Sequence, residues 1–137
     1  MATIKAEIQI TNDIASNSVS TSEIATLYKA GGTEGMDTMT SVSKVLTSTD
    51  QVDLVLATSV STTHNYVYIS NPSTVTTEYV TVGIGNAGGG SPTDTEEIGR
   101  LYGGDWMFIP WTADTNEDII VAPNVATSMS IEYIVFS

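Results

Sequence analysis

The 137-residue chain contains no cysteine. A disulfide framework, thiolate metal ligands and a cysteine nucleophile are therefore excluded. It has one histidine, His64, so a Ser-His-Asp triad or a histidine-rich metal centre would have to be built around a single imidazole. Basic residues are almost as scarce: Lys and Arg total 4 against 16 Asp and Glu, for a net charge of −12. A surface that binds nucleic acid needs cations to neutralise phosphates, and so does one that binds anionic lipid, so neither nucleic acid nor membrane is expected as a partner. No stretch approaches 18 apolar residues, and the opening Met1–Glu7 lacks the basic and apolar regions of a signal peptide. The expectation is a soluble protein that stays in a cytoplasm until it is assembled or released. Leucine occurs only five times, and good surface helix formers are few.

What is abundant is β-branched: 21 Thr, 13 Val and 13 Ile make up about a third of the chain. Such side chains are stiff at χ1 and pack well on a pleated surface. The 15 Ser add hydroxyls suited to solvated strand faces and turns. The composition and the spacing of turn residues predict an all-β protein, an antiparallel β-sandwich or jelly roll of about 8–10 short strands in one domain over residues 1–137. Thr3–Ile10 alternates strictly, with Ile4, Ala6, Ile8 and Ile10 against Lys5, Glu7 and Gln9. That predicts a half-buried edge strand, or one exchanged with a neighbour. Further strands are expected at Ser22–Lys29, Ser41–Thr47, Val52–Ser59, Glu96–Tyr102, Trp106–Trp111, Ile119–Ala122 and Ser130–Phe136. Tyr66–Ile69 and Thr74–Ile84, flanking Asn71-Pro72-Ser73, are expected to form a hairpin.

Candidate chemistry is thin. Gly83-Ile84-Gly85-Asn86-Ala87-Gly88 has the letters of a dinucleotide fingerprint, but Gly89-Gly90-Ser91-Pro92 follows where a helix N-terminus is required. A glycine-rich loop without nucleotide is the reading, and no cofactor is expected. Asp114, Asn116 and Asp118 place oxygen ligands at alternate positions, as the start of a calcium loop does. The glycine and glutamate of an EF-hand are missing, and Ile119 and Val125 stand in their places. These three residues are weak metal candidates, with an Asx turn as the alternative. No G-x-S-x-G elbow exists and no pair of carboxylates is marked out. Enzyme activity is not expected.

The aromatic residues carry more. Tyr66 and Tyr68 share one strand face, and so do Trp106 and Phe108 in a strand ending at Pro110-Trp111. Such stripes belong to a sandwich core, to a subunit interface, or to a sugar-stacking platform. Tyr66, Tyr68, Trp106 and Trp111 are the ligand candidates under the last reading.

The C-terminal third runs Leu101-Tyr102-Gly103-Gly104-Asp105-Trp106-Met107-Phe108-Ile109-Pro110-Trp111, then Glu117-Asp118-Ile119-Ile120-Val121-Ala122, then Ser130-Ile131-Glu132-Tyr133-Ile134-Val135-Phe136. This order resembles the ending of small virion structural proteins of tailed bacteriophages. There, a strand ends in a Gly-acid turn, an apolar strand closes on proline, a short strand ends in alanine, and a terminal strand carries an acid-Tyr pair. The opening Ile4–Ile10 is similar as well. The resemblance implies a capsid decoration (cement) protein on the virion surface, with a tail or fibre component or a carbohydrate-binding adhesin as alternatives. It implies the major capsid protein and further copies of the chain as partners, with a trimer favoured because trimers match local three-fold positions of a shell. Ile4 and Ile8 are then the candidates for contact with a neighbour.

Overall fold

The computed structural model describes residues 3–12, 20–60, 64–86 and 96–137. Ten strands account for most of them: β1 (Lys5–Thr11), β2 (Ser20–Thr26), β3 (Met39–Leu46), β4 (Val52–Val55), β5 (His64–Ser70), β6 (Tyr79–Gly85), β7 (Glu96–Tyr102), β8 (Trp106–Thr112), β9 (Asp118–Pro123) and β10 (Met129–Phe136). The one helical element among the described residues is a single 3₁₀ turn, Ala57–Ser59, closed by the Ser59 amide donating to the Leu56 carbonyl at 2.9 Å. It occupies the end of the expected Val52–Ser59 strand. The fold is all-β and every strand pairing is antiparallel.

The chain divides into two compact units, Met1–Thr38 and Met39–Ser137. The first contains a two-stranded ribbon, β1 with β2, in place of the sandwich edge strand expected for residues 1–10. Beyond β2 the chain turns through residues 30–33, with Gly31 at φ 69°, and returns to bridge Tyr28 with Gly35. Lys29 ties this turn through ion pairs to Glu34 at 3.1 Å and Asp37 at 3.3 Å.

The second unit is a sandwich of two four-stranded sheets, ordered β3-β10-β5-β8 and β4-β9-β6-β7. Among its eight strands, only β6 and β7 are neighbours both in sequence and in a sheet. The remaining partners come from far along the chain, which is the jelly-roll arrangement of paired Greek keys. Alternation builds the core. Val67 and Ile69 from β5, Val80 and Val82 from β6, Ile119 and Val121 from β9, and Ile131 and Val135 from β10 are all buried and belong to one cluster.

Tyr66–Ile69 and the segment after Asn71 do not form the expected hairpin: β5 and β6 lie in different sheets, and β6 begins at Tyr79. The reason is Asn71, a buried hub rather than an exposed turn residue. Its amide donates to Asp105 O at 3.0 Å and its carbonyl accepts from the Gly104 amide at 2.9 Å. Its side-chain Nδ2 donates to Leu101 O at 3.0 Å, while Oδ1 accepts from the Ser73 amide at 3.1 Å. The Asn71-Pro72-Ser73 segment is thereby fastened to the β7–β8 turn and carried across to the other sheet. Gly103 permits this closeness, since a Cβ there would lie 2.6 Å from Val75 O and 2.7 Å from Ser73 O.

Candidate interaction surfaces

On β5 the residues His64, Tyr66, Tyr68 and Ser70 point away from the core, because they alternate with the buried Asn65, Val67 and Ile69. The register sets partners beside them on the same outer face. One ladder row reads Met39, Phe136, Tyr66, Pro110, and the next reads Ser41, Ile134, Tyr68, Phe108. Seven of these eight positions are apolar or aromatic. Trp106 continues the face beside Ser70 and is 54% exposed. An antiparallel sheet with one free face ordinarily shows polar side chains there. This one does not.

The rings on this face pack against each other. Tyr66 and Phe108 are stacked at 5.4 Å with planes 10° apart, and Phe136 meets Phe108 edge-on at 6.1 Å. Tyr68 lies 6.0 Å from Trp106, and His64 stands edge-on to Tyr66 at 5.2 Å. Three sequence candidates, Tyr66, Tyr68 and Trp106, are therefore brought together. The sequence reading missed Phe136, Ile134, Met39 and Pro110 as members. The signal was present in β10, where Ile134 and Phe136 are apolar on the face opposite Ile131, Tyr133 and Val135.

Trp111 does not belong with the others. It is 1% exposed, sits in the core cluster, and its indole Nε1 donates to Glu117 O at 2.8 Å. The correction follows from strand geometry: Trp106 and Trp111 are an odd number of residues apart, so they face opposite sides of β8.

The ribbon is a second surface. Ile4 precedes β1 and holds its base: its amide donates to Met36 O at 3.1 Å, and its carbonyl accepts from the Leu27 amide at 3.0 Å. Ile8, placed across from Glu23, is exposed together with Ile10 on one side, while Ile24, across from Glu7, is 64% exposed on the other. Seven residue pairs, roughly 23 Å of ribbon, thus show apolar side chains on both sides.

Asp114, Asn116 and Asp118 act as loop architecture. Asp114 Oδ1 accepts from the Thr115 amide at 2.7 Å, and Asn116 adopts φ 65° while its Oδ1 accepts from Asn86 Nδ2 at 3.2 Å. Asp118 is buried, and its carboxylate accepts from the Ala57 amide at 2.6 Å. With Asp53 these residues line an open depression of about 390 Å³. Among the described residues no group of three or more His, Asp or Glu is arranged to hold a metal ion. In the glycine motif, Gly83 lies at the β6–β7 bulge, where a Cβ would come 2.8 Å from Glu96 O, so close strand approach explains it. Gly88 falls outside the described residues.

No family model matches the chain, and no curated protein does. Among solved structures it is similar to the crystal structure of Yersinia pseudotuberculosis-derived mitogen, at 13% identity and a TM-score of 0.43, over 72% of this chain and 84% of that one. A likeness of that size carries nothing about function.

Proposed function

We propose that this chain is a virion structural protein of the capsid-decoration type, which acts by binding rather than by catalysis. The observation that carries this reading is the β1–β2 ribbon. A two-stranded ribbon is marginal on its own in water, and this one leaves Ile8, Ile10 and Ile24 exposed on both sides and, among the described residues, one edge of each strand unpaired. Such an element gains stability when a partner supplies a further strand or an apolar surface. Its charges are Lys5, Glu7 and Glu23, so the segment is close to neutral in a chain of net charge −12 and approaches another protein with little repulsion. The resemblance of the C-terminal third to phage virion proteins supplies the shell, built from the major capsid protein, as that partner. Binding only to the assembled shell stabilises it by mass action.

The adhesin alternative needs open aromatic ring faces for sugar. The stacked Tyr66 and Phe108 cover one face of each other, and Trp111 is interior, which favours a protein partner.

The test is mass spectrometry of purified virions from the encoding genome, followed by co-sedimentation of the full chain with shells that lack it. A decoration role predicts copies on the order of the capsid subunits. It also predicts that Ile8→Asp combined with Ile24→Asp abolishes co-sedimentation while leaving the circular dichroism of the sandwich intact. Absence from the particle, a handful of copies, or undiminished binding by the double variant rejects the proposal.

A further inference from the structure

The outer face of the β3-β10-β5-β8 sheet differs from the rest of the molecule in charge as well as in apolarity. Across its four strands the outward positions include a single charged residue, Glu132, in a chain with 16 acids and 4 bases. We infer that this face is a self-association surface, on which a second copy of the chain docks sheet against sheet to form a two-fold dimer.

The charge distribution selects the occupant. A second copy brings net charge −12 with it, and most approaches between two such chains are repulsive. The aromatic sheet face is where two copies can meet with almost no acid facing acid. At the contact itself a basic partner would find one carboxylate, Glu132, to pair with. The shape fits as well. Two outer faces can stack about 10 Å apart with interdigitating side chains, as sheets do in sandwiches. Four strands at ~4.8 Å and seven residues at ~3.4 Å give a flat footprint on the order of 450 Å² per copy. Counting both copies and the relief of the rings, that lies at the low end of specific interfaces, which predicts a reversible dimer rather than an obligate one. Met39, Val45 and Trp106, 61%, 57% and 54% exposed, are the outermost apolar groups to be covered. A two-fold contact is isologous, so each face serves both as surface and as partner. The inference does not depend on what the ribbon binds.

Sedimentation velocity of the full chain, from about 5 to 500 µM and at ~20 mM and ~500 mM NaCl, tests it. A monomer–dimer equilibrium is expected, tighter at the higher salt because screening weakens the repulsion between the copies. Trp106→Asp should weaken association at least about tenfold, and Ile98→Asp, at an exposed apolar position on β7 of the other sheet, should not. Met39→Asp is the second variant, placed at the rim where its exposure leaves folding undisturbed. A monomer at every concentration in high salt overturns the inference. So does association that weakens with salt, or an oligomer of any order that ignores both Trp106→Asp and Met39→Asp.

Discussion

The two sheets of the sandwich share a core but have opposite outer faces. On the β4-β9-β6-β7 side the outward positions of β6 and β7 mix one ring pair, Tyr79 with Tyr102 at 5.2 Å, with polar and charged groups. Thr81 sits beside Arg100, whose Nε lies 3.5 Å from Glu97 Oε1 and whose guanidinium lies 4.9 Å from the centre of the Tyr79 ring. On the β3-β10-β5-β8 side the equivalent rows are aromatic and carry one acid. Both faces border the same core and obey the same alternation, so the fold does not demand aromatic residues outside. The difference teaches that the rings on one face answer to something other than folding.

The largest effect expected from this comparison separates two tryptophans of one strand. Trp111→Ala removes a large side chain from the core and leaves the Glu117 carbonyl without its indole donor, for a loss of about 3–5 kcal/mol. Trp106→Ala, on the outer face, should lose less than about 1 kcal/mol. Urea unfolding of the two variants measures both. Equal losses would mean that the outer rings are part of what folds the protein, and the contrast between the faces would fail.

Second in size is Asn71, which holds the crossover separating the two sheets. Asn71→Ala deletes the donor to Leu101 O and the acceptor for the Ser73 amide in a buried setting, and should destabilise by about 2–3 kcal/mol. Asn71→Asp should lose at least as much at neutral pH, because it sets a buried carboxylate oxygen against the Leu101 carbonyl in place of the donor. A loss of a few tenths of a kcal/mol for Asn71→Ala would show that the crossover is held by backbone bonds alone.

Legibility in the sequence tracked the range of the interactions involved. Strands came through, because alternation such as Ile131, Tyr133, Val135 is written locally. Their pairing did not. Asn71-Pro72-Ser73 carries the letters of a tight turn, yet its partners are Leu101, Gly104 and Asp105, some thirty residues away, and no local pattern encodes them. The aromatic surface was half visible: Tyr66, Tyr68 and Trp106 were singled out, whereas joining them to Phe136 and Met39 required knowing that β5 lies between β8 and β10. The placing of Trp111 was readable from its odd spacing to Trp106. The exposure of Ile24 was not, because it depends on β2 pairing with β1 in a ribbon, with no further strand beside it among the described residues.

A smaller effect is expected on the charged face. Arg100→Ala removes an exposed ion pair with Glu97 and a cation–π contact with Tyr79. Both groups of the ion pair are about half exposed, so solvent screening leaves roughly 0.5 kcal/mol or less. That variant should leave the self-association of the other face unchanged, and a change would mean that the two faces are coupled through the core.

The smallest expected effect sharpens the comparison from the inner side of β10. Tyr133 is in register with Val42 and Ile69, on the opposite side of the strand from Ile134 and Phe136. Its partial burial raises the phenol pKa above the usual 10.0, since a phenolate there would give up solvation. Below pH 10 the phenol is neutral in folded and unfolded chains alike, and its contribution to stability is fully present. As the pH rises past 10 the unfolded chain releases the proton first, so unfolding gains ground and that contribution is lost until the folded pKa is passed. Tyr133→Phe cannot ionise, so its thermal midpoint should fall less steeply than that of the unaltered chain as the pH rises past 10, by about a degree or two. If Tyr133→Phe keeps the alkaline slope of the unaltered chain, the inner side of β10 beside Val42 and Ile69 is as wet as an outer face, and the contrast between the two sides of the strand fails.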